Sequence, residues 1–168
     1  MLIAILSDCH DAWHNLEKAM RVAAERGCEV ILNAGDLVSP LMLPYCASFP
    51  GHVHHVLGNN EGELIAFTRT VDASQNMTLH GNLNGGTMEM EFGGLRFYMN
   101  HYPKNAELAA LSGHYDVCVF GHTHEYYDDT TGNGTRLLNP GEIQGFRTGT
   151  AGMMIFDTTT KKAERIIL

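Results

Sequence analysis

Asp116-Val117-Cys118-Val119-Phe120 leads directly into Gly121-His122-Thr123-His124, so an apolar run delivers two imidazoles to its own end. The run reads as a buried β-strand, with the histidines where the chain leaves it. If the segment stays extended, side chains two residues apart share a face and grip one ion; if it bends at Thr123, they serve two neighbouring ions. A His-x-His pair is a weak signal in a chain with 10 histidines, so its meaning depends on what flanks it.

Upstream, the same arrangement recurs. Met1 to Ser7 is an apolar run ending in Asp8-Cys9-His10-Asp11, Val30 to Asn33 ends in Ala34-Gly35-Asp36, and Val53 to Leu57 ends in Gly58-Asn59-Asn60-Glu61. A helix is expected over Trp13 to Arg26, with Leu16, Ala19, Met20, Ala23 and Ala24 on its inner face and Gly27 as its stop. Pro40, Pro44 and Pro50 leave room only for a short helix around Leu41 to Phe49, whereas Glu63 to Val71 carries amphipathic helical spacing. Strands alternating with helices, with polar residues at each strand's carboxyl end, describe an α/β fold whose site lies at those ends.

From Met77 the punctuation changes. Met77 to Leu79, Thr87 to Phe92 and Leu95 to Met99 read as short strands separated by Asn-Gly and Gly-Gly turns, and Asn105 to Leu111 as a short helix. Beyond the opening motif, Tyr126 to Thr130 with Thr135 to Leu138, and Met153 to Asp157 with Ala163 to Leu168, read as two hairpins. The expected architecture is α/β (α+β): two mixed β-sheets packed face to face with helices outside, in a four-layer α-β-β-α sandwich. One domain over residues 1–168 is expected, without internal repeat or linker.

Composition narrows the function. At 44% hydrophobic and 18% charged, the chain has a globular profile, and its net charge of −8 disfavours a polymeric nucleic acid partner. Cys9, Cys28, Cys46 and Cys118 form no Cys-x-x-Cys pair, which fits reduced thiols. The opening apolar run is too short for a signal peptide and no segment reaches membrane-spanning length, so a cytoplasmic location and no membrane partner are expected. Self-association is left open.

Five polar loops each follow an apolar strand: Asp8-Cys9-His10, Gly35-Asp36, Gly58-Asn59, Asn100-His101 and His122-Thr123-His124. If those strands are sheet neighbours, two Asp, one Asn and four His converge. In isolation each has a bland reading, Asp8 and Asp36 as caps or turn residues, Asn59 as a turn residue and His101 as a loop histidine. Their joint order overrides it. Carboxylate, amide oxygen and imidazole together suit Mn²⁺, Fe, Zn²⁺ or Ni²⁺ rather than Ca²⁺ or a thiolate zinc site. Seven side chains exceed one tetrahedral ion, whereas two divalent ions roughly 3.5–4 Å apart sharing a carboxylate would use them all.

Asp-x-His after the first strand, Gly-Asp after the second, Gly-Asn after the third, then a later His and Gly-His-x-His resemble the calcineurin-like metallophosphoesterase superfamily. Leu138-Asn139-Pro140-Gly141 resembles the Asn-Pro-Gly turn of its small prokaryotic phosphodiesterase branch. The resemblance implies that Asp8, His10 and His124 hold one ion and Asn59, His101 and His122 the other, with Asp36 bridging. It implies a phosphodiesterase, with Mn²⁺ the leading metal, in which a hydroxide between the ions attacks phosphorus in line. Asp36, Asn59 and His101 then stand at the reacting centre, and a small phosphate ester is the partner. Many relatives carry His at the position of Asn60, and an amide cannot serve as a general acid. Asn60 and Arg147 are expected at the substrate, and Asp11 and Glu61 as acceptors that orient imidazoles. Tyr102 stands where Gly is common and either walls the pocket or packs. His14, His80 and His114 fall outside the pattern, as solvated or capping residues; of His54 and His55, one is expected to face the core and the other the helix layer. The rivals are a phosphomonoesterase, a scaffold such as the retromer subunit built on this fold, and an amidohydrolase, disfavoured because its His-x-His would follow the first strand.

Overall fold

The computed structural model describes residues 1–81 and 86–168. Six strands form one sheet: β1 (Leu2–Leu6), β2 (Val30–Asn33), β3 (His52–His55) and β4 (Met77–Leu79), with β10 (Gly152–Asp157) and β11 (Lys162–Ile167) at the far edge, in the order β11-β10-β1-β2-β3-β4. β1 to β4 pair in parallel, and β10 runs antiparallel to β1. The second sheet has the order β5-β6-β7-β9-β8, from β5 (Thr87–Phe92), β6 (Leu95–Asn100), β7 (Val117–Val119), β8 (Tyr126–Thr130) and β9 (Arg136–Pro140). There β6, β7 and β9 are parallel.

Alternation along the central strands explains the layers. In β1, Ile3 and Ile5 pack into the core between the sheets while Ala4 and Leu6 pack into the core under the helices. β10 does the same with Met154 and Phe156 against Met153 and Ile155, as strands buried on both faces must. Phe97 fills the inter-sheet layer, edge-on to Phe92 and Phe156 with centroids 5.5 and 5.8 Å away, contacts worth about 0.5–1.5 kcal/mol each beyond their buried area. Helices α1 (Trp13–Glu25), α2 (Leu43–Ala47) and α3 (Leu64–Ala73) lie on the outer face of the first sheet, and α4 (Pro103–Ser112) on the second. The α-β-β-α order expected from the sequence is therefore the observed one.

Element by element, α1 buries Leu16, Ala19, Met20 and Ala23 and stops at Gly27, whose φ of 73° only glycine adopts freely. The proline-rich stretch holds a 3-10 turn, Pro40–Met42, and the five-residue α2. Two readings need correction. β4 and β5 lie in different sheets, β4 continuing the parallel order beside β3, so Met77 begins no hairpin; the Asn-Gly turn expected between them lies outside the described residues. His80 is not a solvated residue but meets His54 through Nε2 and Nδ1 at 2.9 Å. His54 does face the inter-sheet layer, beside Phe92, and His55 the helix layer, edge-on to Phe67. Among the described residues, no helix is long and apolar enough to cross a membrane.

Candidate metal centre

The carboxyl ends of β1, β2, β3, β6 and β7 open on one edge of the sandwich, and the five polar loops meet there. Backbone bonds stitch them together: Asp8 N donates to Gly35 O at 3.0 Å, His10 N to Asp36 O at 3.0 Å, and Gly121 N to His101 O at 3.0 Å. Close approach dictates two of the glycines. A Cβ on Gly58 would overlap Asp36 Oδ1, and one on Gly121 would overlap Ser7 Oγ.

Asp8 Oδ1, His10 Nε2 and the carboxylate of Asp36 line one side of this space. His124 Nε2 lies 3.3 Å from Asp8 Oδ1, and His10 Nε2 lies 3.8 Å from Asp8 Oδ1 and 3.4 Å from Asp36 Oδ2. The His10 and His124 rings stack with centroids 5.0 Å apart. On the other side, Asn59 Oδ1 lies 3.0 Å from His101 Nε2 and 2.7 Å from His122 Nδ1, while Asp36 Oδ1 lies 3.6 Å from His101 Nε2. Asp36 therefore faces both groups, one oxygen toward each. Asp8, Asp36 and His101 are almost fully buried, and His124 is 6% exposed.

The bend near Thr123 is real, and it is made by its neighbours. His122 and His124 both adopt left-handed backbone, φ 67° and 66°, and Thr123 N donates to Gly121 O at 2.7 Å. The two imidazoles consequently part, His122 toward Asn59 and His124 toward Asp8. Asn139 braces the turn, donating through Nδ2 to Gly121 O and Thr123 Oγ1, each at 3.0 Å, while its Oδ1 accepts from Gly141 N. That is the physical use of the Asn-Pro-Gly sequence.

The donor chemistry fits cations. His101 Nδ1 lies 2.8 Å from Ala34 O, a group that only accepts, so Nδ1 carries the proton and Nε2 turns its lone pair toward Asn59 and Asp36 oxygens. His124 Nδ1 is likewise spent on Glu142 Oε2 at 2.7 Å, turning Nε2 toward Asp8. Asp8 Oδ1 and His10 Nε2 are buried with no hydrogen-bond partner among the described residues. Electron pairs gathered without protons between them are costly unless a positive ion joins them. Burial opposes the charge on Asp8, yet the nearby His10 imidazole and the hydrogen bond from Ser7 Oγ outweigh it and hold its carboxyl below the usual range. The same contact with Asp8 raises the His10 imidazole above its ordinary value.

Some expected roles differ in the structure. Asp11 and Glu61 do not orient imidazoles. Asp11 accepts from Ser39 N at 2.9 Å, and Glu61 from Leu37, Val38 and Gly58 N, because those loop amides lack sheet partners and are nearer than any ring nitrogen. The orienting carboxylate is Glu142, which the sequence did not single out. Asn60 bonds Asp36 instead of standing free for a substrate. Arg147 is exposed in the loop after β9, and Tyr102 is half-exposed, its ring centroid 5.3 Å from both His101 and His122. The thiols lie outside the cluster; burial pushes Cys9 and Cys118 up to about 12.

The chain is similar to three known proteins and to one family. A phosphodiesterase of Methanocaldococcus jannaschii is 30% identical over 171 residues, covering 100% of this chain and 99% of that protein. The solved structure of an archaeal phosphodiesterase superposes with a TM-score of 0.90 at 29% identity over 100% of both chains. Vps29 of Chaetomium thermophilum shares the fold, with a TM-score of 0.69 at 14% identity over 100% of this chain and 96% of its own. Residues 1–161 match the calcineurin-like phosphoesterase superfamily domain. With that match spanning nearly its whole length, the chain belongs to the calcineurin-like phosphoesterases and is a phosphoric ester hydrolase.

Proposed function

We propose that the protein is a two-metal phosphodiesterase for small phosphate diesters. The observation that carries this reading is the set of electron pairs facing one space, above all the unpartnered Asp8 Oδ1 and His10 Nε2 on one side and His101 Nε2 opposite Asn59 and Asp36 oxygens on the other. Family membership implies divalent metal ions. Asp8, His10 and His124 would hold one and Asn59, His101 and His122 the other, with Asp36 between; the mixed oxygen and nitrogen set favours Mn²⁺, then Fe, Zn²⁺ or Ni²⁺. When bound, such ions supply a nucleophile at neutral pH and neutralise charge building on phosphoryl oxygens.

The chain's own residues prepare that chemistry. Ala34 O and Glu142 fix which nitrogen His101 and His124 present, and the buried walls of Asp8 and Asp36 keep bulk water from screening the centre. No histidine follows Asn59 to protonate a departing alkoxide, and the Asn60 amide cannot, so the leaving group must depart as a stable anion.

The test pairs metal content with diester hydrolysis. Two ions per chain, turnover of bis(p-nitrophenyl) phosphate with Mn²⁺, and loss of both turnover and at least one ion in Asp36→Ala are the expected results. Metal without turnover on any phosphate ester would instead support the protein-binding scaffold, and faster cleavage of the monoester a phosphomonoesterase. Aryl and nucleotide-like diesters should outpace simple alkyl diesters by roughly 10²–10⁴-fold, the usual worth of a general acid; equal rates on the two classes would refute the leaving-group argument.

A further inference from the structure

The segment Gly58-Asn59-Asn60-Glu61 does more than supply Asn59. Asn60 N donates to Asp36 Oδ1 at 2.8 Å and Asn60 Nδ2 to Asp36 Oδ2 at 2.7 Å, so one residue bonds both oxygens of the carboxylate that lies between the two groups of imidazoles. Each oxygen keeps its remaining direction free, Oδ2 toward His10 Nε2 at 3.4 Å and Oδ1 toward His101 Nε2 at 3.6 Å. Rotating the carboxylate about its Cβ–Cγ bond would break both bonds at once. Neighbouring contacts hold the clamp in place. Gly58 backs directly against Asp36 Oδ1, with no room for a Cβ, and Glu61 ties Gly58 N to Leu37 N and Val38 N on either side of the turn.

We infer that Asn60 is a positioning residue that sets the orientation of Asp36 between the two cation positions; this rests on the two-metal reading. It differs from a role at the substrate, which is what its place in the sequence suggests. Asn60 itself is exposed, so truncation to alanine removes the Nδ2 bond to Asp36 Oδ2, leaves the backbone bond to Oδ1, and frees the carboxylate to turn without hollowing the core.

The experiment titrates Mn²⁺ into metal-free wild type and Asn60→Ala by calorimetry, with thermal melts of both metal-free proteins and steady-state kinetics on bis(p-nitrophenyl) phosphate. Loss of a partner behind a metal-binding side chain typically weakens affinity 10–100-fold. The expected result is therefore a shift of that size in Mn²⁺ affinity, a metal-free melt only slightly lowered because the backbone bond to Asp36 remains, an unchanged KM at saturating Mn²⁺, and recovery of kcat as Mn²⁺ is raised. Unchanged Mn²⁺ affinity overturns the inference, and a raised KM with unchanged affinity would assign Asn60 to the substrate. If wild type binds fewer than two ions, the two-metal reading fails on that result alone. The clamp is still judged on the ion that remains, since Asp36 borders both positions.

Discussion

Glu142 shows how much one buried side chain can govern. It is 1% exposed, its Oε2 accepts from His124 Nδ1 at 2.7 Å, and its Oε1 accepts from Thr148 N at 2.6 Å and Thr148 Oγ1 at 2.8 Å. Burial alone would raise its pKa, but the bonds from His124 and Thr148 outweigh it and hold the carboxyl below the usual range. Replacing it strands an imidazole N–H and a backbone N–H. Glu142→Ala should therefore cost about 1–3 kcal/mol in urea-melt stability and weaken Mn²⁺ binding about 10–100-fold in a direct titration. Glu142→Gln, which can still accept from Nδ1 through its amide oxygen, should lose less of both. Nothing in the sequence flags Glu142, since it lies 18 residues from His124 and shares no motif with it. The parallel pairing of β7 with β9 brings them together. Asp11 and Glu61 mislead for the converse reason: adjacency to candidate ligands is visible in sequence, but the direction of a carboxylate is set by the nearest unpaired amides.

At the scale of elements, the site consists of turns at strand ends. Asp8, His10, Asp36, His122 and His124 all have positive φ, between 44° and 67°. For residues other than glycine such backbone costs on the order of 1–3 kcal/mol each, more than the roughly 0.5–1.5 kcal/mol returned by a single interloop hydrogen bond. The turns persist because each leaves a strand whose apolar side chains are committed to packed layers, β1 before Asp8 and His10, β2 before Asp36, and β7 before His122 and His124. The strands and helices themselves were legible. Apolar runs bounded by Gly and Asp marked β1, β2 and β7, and the inner face of α1 follows from helical spacing. Partnership was not legible. Met77 to Leu79 reads as well before a hairpin as beside a parallel strand, and only the empty edge of β3 selects the second. The bend in Gly121-His122-Thr123-His124 was also undecided by spacing, since an extended and a bent pair have the same letters.

For the molecule as a whole, acid should act through histidines away from the centre. Burial drives His54 down to about 4 and His55 to about 3 in the folded protein, against about 6.5 in an unfolded chain. His55 is fixed in this state because Asn33 Nδ2 donates to its Nδ1 while Asn33 Oδ1 accepts from Gly35 N. Above about pH 6.5 neither the folded nor the unfolded chain protonates these rings, and their full contribution to stability is present. As pH falls below that, the unfolded chain takes up protons first. Stability then declines by up to about 1.4 kcal/mol per pH unit per histidine, until the folded rings titrate near 4 and 3. Urea melts with a chelator at pH 7.5 and 5.0 should show this loss, and His55→Gln should reduce the pH-dependent part by about one proton's share even if its stability at pH 7.5 is lower. An unchanged pH dependence in His55→Gln would contradict the assignment. The same divide runs through the protein. Local rules of hydrophobic period, turn chemistry and ligand type are written along the chain, and by themselves they determined the layered α/β class, the strand ends that carry the chemistry and the seven candidate ligands. The division of His122 and His124 was implied by the family resemblance, and the tertiary structure turns the one toward Asn59 and the other toward Asp8; only the tertiary structure decided that Glu142 stands behind His124 and that Asn60 grips Asp36. Those depend on which distant segments the sheets bring within hydrogen-bond reach, and on which lone pairs are left over once the backbone has been satisfied.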